Sequence, residues 1–199
     1  LMWPWGHLAF GYLCYSIYSR YVLRSIPRGI PVLSLAIGTL MPDLIDKPLA
    51  YWTPLLPEGR TLSHSFLFAI PLCVILLVVA SNRGKYLSEA TGFSIGFLSH
   101  PIADSLAPVL GGKVSEISFL FWPVLGVRDY PADDFTHHLA GLLDSLRELT
   151  IGKLLTGWTD GFILEIWFTA LIFTLWISHG FPPLTSLKHR ILLFKQSIH

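Results

Sequence analysis

Residues Gly96–Leu106 read GFLSHPIADSL and lie in one of the most apolar parts of the chain. The stretch sets His100 four residues before Asp104. On a helix that spacing stacks an imidazole over a carboxylate on one face. Ionisable groups at membrane depth are costly and persist where a partner or an ion compensates them. In a soluble protein the simple reading would be a polar pair, with Asp104 hydrogen-bonded to His100. In an apolar span the same pair reads as half of a zinc or manganese site.

Composition decides which setting applies. Of 199 residues, 52% are hydrophobic and only 14% charged, where soluble domains carry about 25% charged residues. Mean hydropathy is +0.57. Seven Trp residues suit rings placed at a membrane–water interface. The formal net charge of +1 gives no case for nucleic-acid binding. Cys14 and Cys73 both fall in apolar segments and read as small buried hydrophobes, not as a disulfide or a zinc knuckle. The N-terminus lacks the basic region of a cleavable signal peptide, and none is expected.

Working outward from Gly96–Leu106, five segments have the apolar character of membrane helices: Trp5–Leu23, Gly29–Met41, Leu62–Ser81, Ser88–Leu110 and Phe162–Ser178. The second is short for a span, which takes about 20 residues, and is expected to stop at Pro42. A polar excursion, Gly111–Asp160, precedes the last segment and contains a helical, amphipathic stretch at Phe135–Leu149. The expected fold is all-α: one integral membrane domain, residues 1–199, of about four to five transmembrane helices. Arg20, Arg24, Arg28, Arg83, Lys85 and the Lys and Arg residues of the C-terminal tail mark the cytoplasmic side. With five crossings the C-terminus is cytoplasmic, and the polar residues at the segment ends gather on the extracytoplasmic side.

Those residues come from five stretches. LMPDLIDKP places Asp43, Asp46 and Lys47 after Pro42, on what reads as a rigid turn. Two carboxylates there can converge on a cation, while the plain alternative is a helix-ending turn with solvated acids. RTLSHS spaces Arg60 and His64 as i and i+4 at the start of the third segment, with Ser63 as a local cap. His64 is a metal-ligand candidate and Arg60 a phosphate-binding one, its planar fork of donors suiting a phosphate oxygen; an interfacial Arg beside an ordinary boundary His is the alternative. His7, in WGHLAFG, is a lone histidine on an apolar face. His137, His138 and Asp144 form a further polar patch that reads as a wet loop and an amphipathic helix. There is no G-x-S-x-G elbow, P-loop, His-Glu-x-x-His or Cys-x-x-Cys.

Taken in order, His7, Pro42-Asp43-x-x-Asp46, Arg60-x-x-x-His64-Ser65, His100-x-x-x-Asp104 and Trp122-Pro123 resemble small membrane-bound metal-dependent hydrolases, the LexA-regulated inner-membrane hydrolase family. MPDLIDKPLAYW looks like archaeal members. The resemblance covers residues 5–125. It departs in the wider spacing of PDLID and in Gly59, where the family often has His. The ligand order is also similar to that of zinc-dependent phospholipase C. That resemblance implies one ion on Asp43, His64, His100 and Asp104, and a second held by His7 with Asp104. The expected activity is hydrolysis of a phosphoester of a lipid or lipid-linked substrate by a metal-activated water, on one to two divalent ions, zinc first and manganese second. Asp46 is the candidate general base or orienter of a ligating histidine, and Arg60 and Lys47 the phosphate clamps. The alternative is a non-catalytic metal- or lipid-binding membrane subunit.

Overall fold

The structure is a computed structural model that describes residues 2–53, 55–127, 135–157 and 161–182, with the side chains of 135–139 left aside. Its elements are α1 (Pro4–Tyr21), α2 (Ile30–Tyr51), α3 (Phe66–Asn82), α4 (Leu87–Leu110), a 3-10 helix (Val114–Phe121), α5 (Phe135–Arg147), α6 (Ile151–Thr156) and α7 (Gly161–Ser178). Among the described residues there is no strand. The fold class is all-helical, as the sequence suggests.

The helix α4 is the hub, packed against α1, α2, α3 and the 3-10 helix. Its contact with α2 is intimate because glycines line the seam. A Cβ at Gly96 would lie 2.2 Å from the Leu35 carbonyl oxygen, one at Gly38 2.2 Å from that of Phe93, and one at Gly92 2.3 Å from that of Pro31. Small residues let two backbones approach closely, the usual means by which helices associate where no hydrophobic drive separates them from lipid. One apolar cluster joins α1, α2 and α7 through Tyr12, Tyr15, Val32, Leu35 and Ile172. A second joins α3 to α4 through Ala69, Cys73 and Phe97. Cys14 and Cys73 are both free, and Cys73 is buried as expected.

Two expectations change. The second apolar segment does not stop at Pro42: α2 runs 22 residues, through Pro42 and Pro48. A proline inside a helix forfeits one backbone bond, a loss that neighbouring helices make tolerable in membrane helices; Pro42 is buried in the packing. Asp43, Asp46 and Lys47 therefore stand on one helical face, at i, i+3 and i+4, and not on a turn. Conversely, Arg60 and His64 are not on a helix. The third helix starts at Phe66 and is capped by Ser65, whose Oγ accepts from the Leu67 N–H at 3.2 Å; Ser63 is not its cap.

By length and composition α7 is apolar enough to cross a membrane, and only 17% of its span is buried inside the fold. Most of its apolar surface thus faces outward, beyond the few residues such as Ile172 that pack on α1 and α2. α3 is apolar but shorter, at 17 residues. It turns Ile70, Val74, Ile75 and Val78 outward. Among the described residues this criterion is met by α7 alone, against the four to five spans expected from the sequence. The basic residues expected in the C-terminal tail, Lys188, Arg190 and Lys195, lie outside the described residues.

Candidate metal centre

Four elements converge at one end of the bundle. α1 brings His7, α2 brings Asp43 and Asp46, the turn before α3 brings His64, and α4 brings His100 and Asp104. His64 and His100 are fully buried, His7 is 2% exposed and Asp104 6%.

His64 and His100 are each held by the ring nitrogen that faces away from the centre. The His100 Nδ1 sits 2.7 Å from the Thr39 carbonyl oxygen. A carbonyl only accepts, so Nδ1 carries the hydrogen and Nε2 is the atom turned to the centre. The His64 Nδ1 sits 2.8 Å from Asp46 Oδ2 in the same way. Both Nε2 atoms are buried and have no hydrogen-bond partner, as are His7 Nδ1 and Asp104 Oδ1. Orphaned buried polar atoms of this kind are rare in folded proteins, and a bound ion is one of their standard explanations.

The spacings fit an ion. His64 Nε2 lies 3.5 Å from Asp43 Oδ1 and 3.7 Å from Asp104 Oδ2. His100 Nε2 lies 3.6 Å from Asp43 Oδ1 and 4.0 Å from Asp104 Oδ2. These are too long for hydrogen bonds. Two ligands on one tetrahedral ion, each bound at about 2.0–2.1 Å, stand roughly 3.3–3.4 Å apart. His7 Nε2 lies 3.5 Å from the other Asp104 oxygen, Oδ1. Two triads of ligand atoms result, Asp43–His64–His100 and His7–His100–Asp104, and within each all atoms lie within 4.8 Å of one another. The donor set, imidazole and carboxylate, suits zinc or manganese. The same groups also compensate one another as ion pairs.

Asp46 is fully engaged. It accepts from the N–H of Thr61 at 2.9 Å, of Ser63 at 2.9 Å and of His64 at 3.3 Å, besides the imidazole. It is 0% exposed. Its geometry is that of an orienter, and the turn 61–64 is wrapped around it. Lys47 Nζ donates to Asp43 Oδ2 at 2.7 Å. Arg60 lies 3.6 Å from Glu58 and stacks over the Phe119 ring at 5.6 Å. Burial pushes the Glu58 carboxyl above its usual range, with the Arg60 guanidinium opposing it. Gly59 lies against Tyr51: a Cβ there would stand 2.6 Å from the Tyr51 Oη, so a larger residue requires that side chain to move.

All eight residues singled out in the sequence lie in or around this cluster. Of the further patch, Asp144 is exposed and paired with Arg147 at 3.6 Å, while the side chains of His137 and His138 lie outside the described residues. Sequence reasoning missed the Thr39 carbonyl, the amides of Thr61 and Ser63, and Glu165. The last is an acid inside the apolar α7, a signal visible in the sequence. Its Oε1 accepts the Trp3 N–H at 2.7 Å, so it caps the helix that carries His7.

None of the curated proteins and none of the solved structures matches this sequence. Residues 2–184 match the family described as YdjM inner membrane protein, a span that takes in every ligand of the cluster and α7. The chain belongs to the YdjM inner membrane protein family.

Proposed function

We propose that this chain is a membrane-embedded, metal-dependent hydrolase that cleaves a phosphoester of a lipid or lipid-linked substrate. The observation that carries the reading is the pair of partnerless buried atoms His64 Nε2 and His100 Nε2, which lie 3.5 and 3.6 Å from Asp43 Oδ1 and are spaced with it as ligands of a common ion.

The reading takes α1, α2, α3 and α4 as spans beside α7. At 1.5 Å per residue they are about 27, 33, 25 and 36 Å long, against a hydrocarbon core of about 30 Å. The arginines after α1 and Arg83 and Lys85 after α3 favour a cytoplasmic location for that end, and so an extracytoplasmic metal centre with the C-terminus inside.

A divalent ion supplies, when bound, a Lewis acid that makes a water nucleophilic near neutral pH and offsets charge on a phosphoryl oxygen. The chain's own part is preorganisation. Asp46 and the Thr39 carbonyl fix the tautomer and direction of His64 and His100. Asp43 is the least enclosed ligand, its side chain 21% exposed, and a substrate enters from its side. Lys47 and Arg60, part-exposed there, bind the phosphate. An opening on that face also argues against a purely structural ion, which protein ligands would close.

The test is metal analysis of detergent-purified protein, wild type beside His100→Ala, followed by phosphate and headgroup release from phospholipids. One or two zinc or manganese ions per chain, lost in the variant, with metal-dependent release, is the expected result. No stoichiometric metal after reloading would overturn the reading and leave a polar cluster in a binding or scaffold protein.

A further inference from the structure

Two short helices, α5 and α6, stand in the chain between the 3-10 helix and α7. α5 has 13 residues and α6 has 6. Leu142, Leu143 and Leu146 fall on one side of α5 at helical spacing, with Asp144 on the other. Ile151 and Leu155 stand at i and i+4 on α6. Among the described residues these apolar faces stay open: Leu143 and Leu146 are 47% exposed, Leu155 59% and Ile151 78%. We propose that α5 and α6 lie along the bilayer surface at the metal-centre end of the bundle, with Leu143, Leu146, Ile151 and Leu155 set into the lipid.

Length and placement select the occupant. A helix of 13 residues is too short to cross a bilayer, and one this open is no core element; its apolar face suits the membrane interface. The connections of α6 point the same way. Trp167 Nε1 donates to the Leu154 carbonyl at 2.9 Å. This holds α6 against the first two turns of α7, the helix apolar enough to cross a membrane. The start of α7 stands beside the start of α1, because Glu165 accepts the Trp3 N–H. There Trp3 and Trp5 stack, 5.4 Å apart, as rings of a membrane–water boundary. α6 is thus fixed at the level where the bilayer surface meets the bundle. α5 ends just before it, and the Lys153–Glu148 pair at 2.7 Å closes the link between them.

Charge and area favour lipid over a protein partner. Arg147 and Lys153 offset Asp144 and Glu148, so these side chains carry no net charge to draw a charged protein. A stable protein interface takes roughly 20–30 residues a side, more than both helices together contain, and only one face of each is apolar. A bilayer asks for less: an amphipathic helix in its surface sinks its apolar face by about 5–10 Å. The inference needs the membrane setting but not the hydrolase reading, so each can fail alone.

The experiment uses the full chain in vesicles of phosphatidylethanolamine and phosphatidylglycerol. Leu143→Cys, Leu146→Cys, Leu155→Cys, Asp144→Cys and Leu171→Cys are made one at a time on a Cys14→Ala/Cys73→Ala background and spin-labelled. Leu171, 67% exposed on α7, is the lipid reference, and Asp144 the water reference. Power saturation compares collisions with oxygen, which enters lipid, and with a nickel chelate, which stays in water. We expect the oxygen-to-nickel ratio at Leu143, Leu146 and Leu155 to exceed that at Asp144 about fivefold and to approach that at Leu171, as for a face sunk into the acyl boundary. A ratio equal to that at Asp144 would overturn the inference, because the face would be wet. Exclusion of both reagents would overturn it in favour of a protein cover. Water-like values at Leu171 as well would overturn the membrane seat of α7, and the inference with it. p-Benzoylphenylalanine in place of Leu146, with both native cysteines kept, gives a reading independent of the cysteine-free background. Lipid adducts on photolysis support the proposal; adducts to this chain or to a second copy, or none, overturn it.

Discussion

His7 lies face to face with His100, their ring centroids 3.8 Å apart and their planes 11° from parallel. His64 meets His100 edge-on, at 4.8 Å and 75°. Neutral imidazoles hold such a stack, whereas imidazolium ions would repel at this distance. The three rings are thus packed together beside the Asp43 and Asp104 carboxylates, a donor set suited to a divalent cation.

His100 belongs to both ligand triads and His7 to one. His100→Ala is therefore expected to strip all bound metal, and His7→Ala to leave the ion held by Asp43 and His64. Metal content after gel filtration with a mild chelator measures this. Equal retention in both variants would remove His100 from its central place.

Asp46 offers both oxygens to three backbone N–H groups and the His64 ring. In Asp46→Asn the amide nitrogen cannot accept any of these bonds, so the turn and the tautomer of His64 both loosen. Loss of such an orienting partner typically lowers metal affinity about 10–100-fold. Competitive chelator titration reads the change directly, and wild-type affinity in Asp46→Asn would contradict the role.

Arg60 lies beside the centre, held by Glu58 and Phe119, and contributes no metal-ligand atom. Arg60→Ala is expected to keep its metal and to weaken inhibition by inorganic phosphate about tenfold, or about 1.4 kcal/mol. Asp104→Asn and His64→Ala, by contrast, should lose metal and activity together. A metal-free Arg60→Ala protein would show that its role is to support the ligands.

The close α2–α4 seam sets the His100 contact. A Cβ on Gly96 would lie 2.2 Å from the Leu35 oxygen and 2.8 Å from the Thr39 nitrogen, and Thr39 also holds His100. Gly96→Ala should cost about 1–3 kcal/mol through overpacking and weaken metal binding as well. Gly141→Ala on α5, with open space around it, is the control and should be neutral or slightly stabilising. Thermal unfolding in detergent compares the two.

The parts of this architecture that were legible in the sequence follow from side-chain chemistry. Apolar length locates α4 and α7 to within a residue at each end. Ionisable residues in apolar segments point to the groups that gather in the cluster. What stayed hidden depends on backbone and packing. The continuation of α2 beyond Pro42 was hidden because proline normally ends helices in water, while here the surrounding helices hold the chain in place. The orienting groups of His100 and of Asp46 are a carbonyl and three amides, which every residue has, so no residue type announces them. Glu165 was legible in principle, but nothing near it in the sequence points to Trp3.

That contact defines the last expected outcome. α1 has no side-chain cap of its own and no acid in its first turn. Glu165 supplies the acceptor from α7, at 2.7 Å from the Trp3 N–H. Glu165→Ala leaves that amide without its partner and should lower stability by about 1 kcal/mol, the usual worth of a cap. Glu165→Gln keeps an acceptor oxygen and should retain most of it. A Cβ at Gly6 would lie 2.3 Å from Glu165 Oε1, so Gly6→Ala should harm the wild type but do less damage on a Glu165→Ala background. A double-mutant cycle isolates that coupling. Additive effects of the two changes would mean that Glu165 does not press on the first turn of α1, and the placement of His7 would then rest on the α1–α4 contact alone.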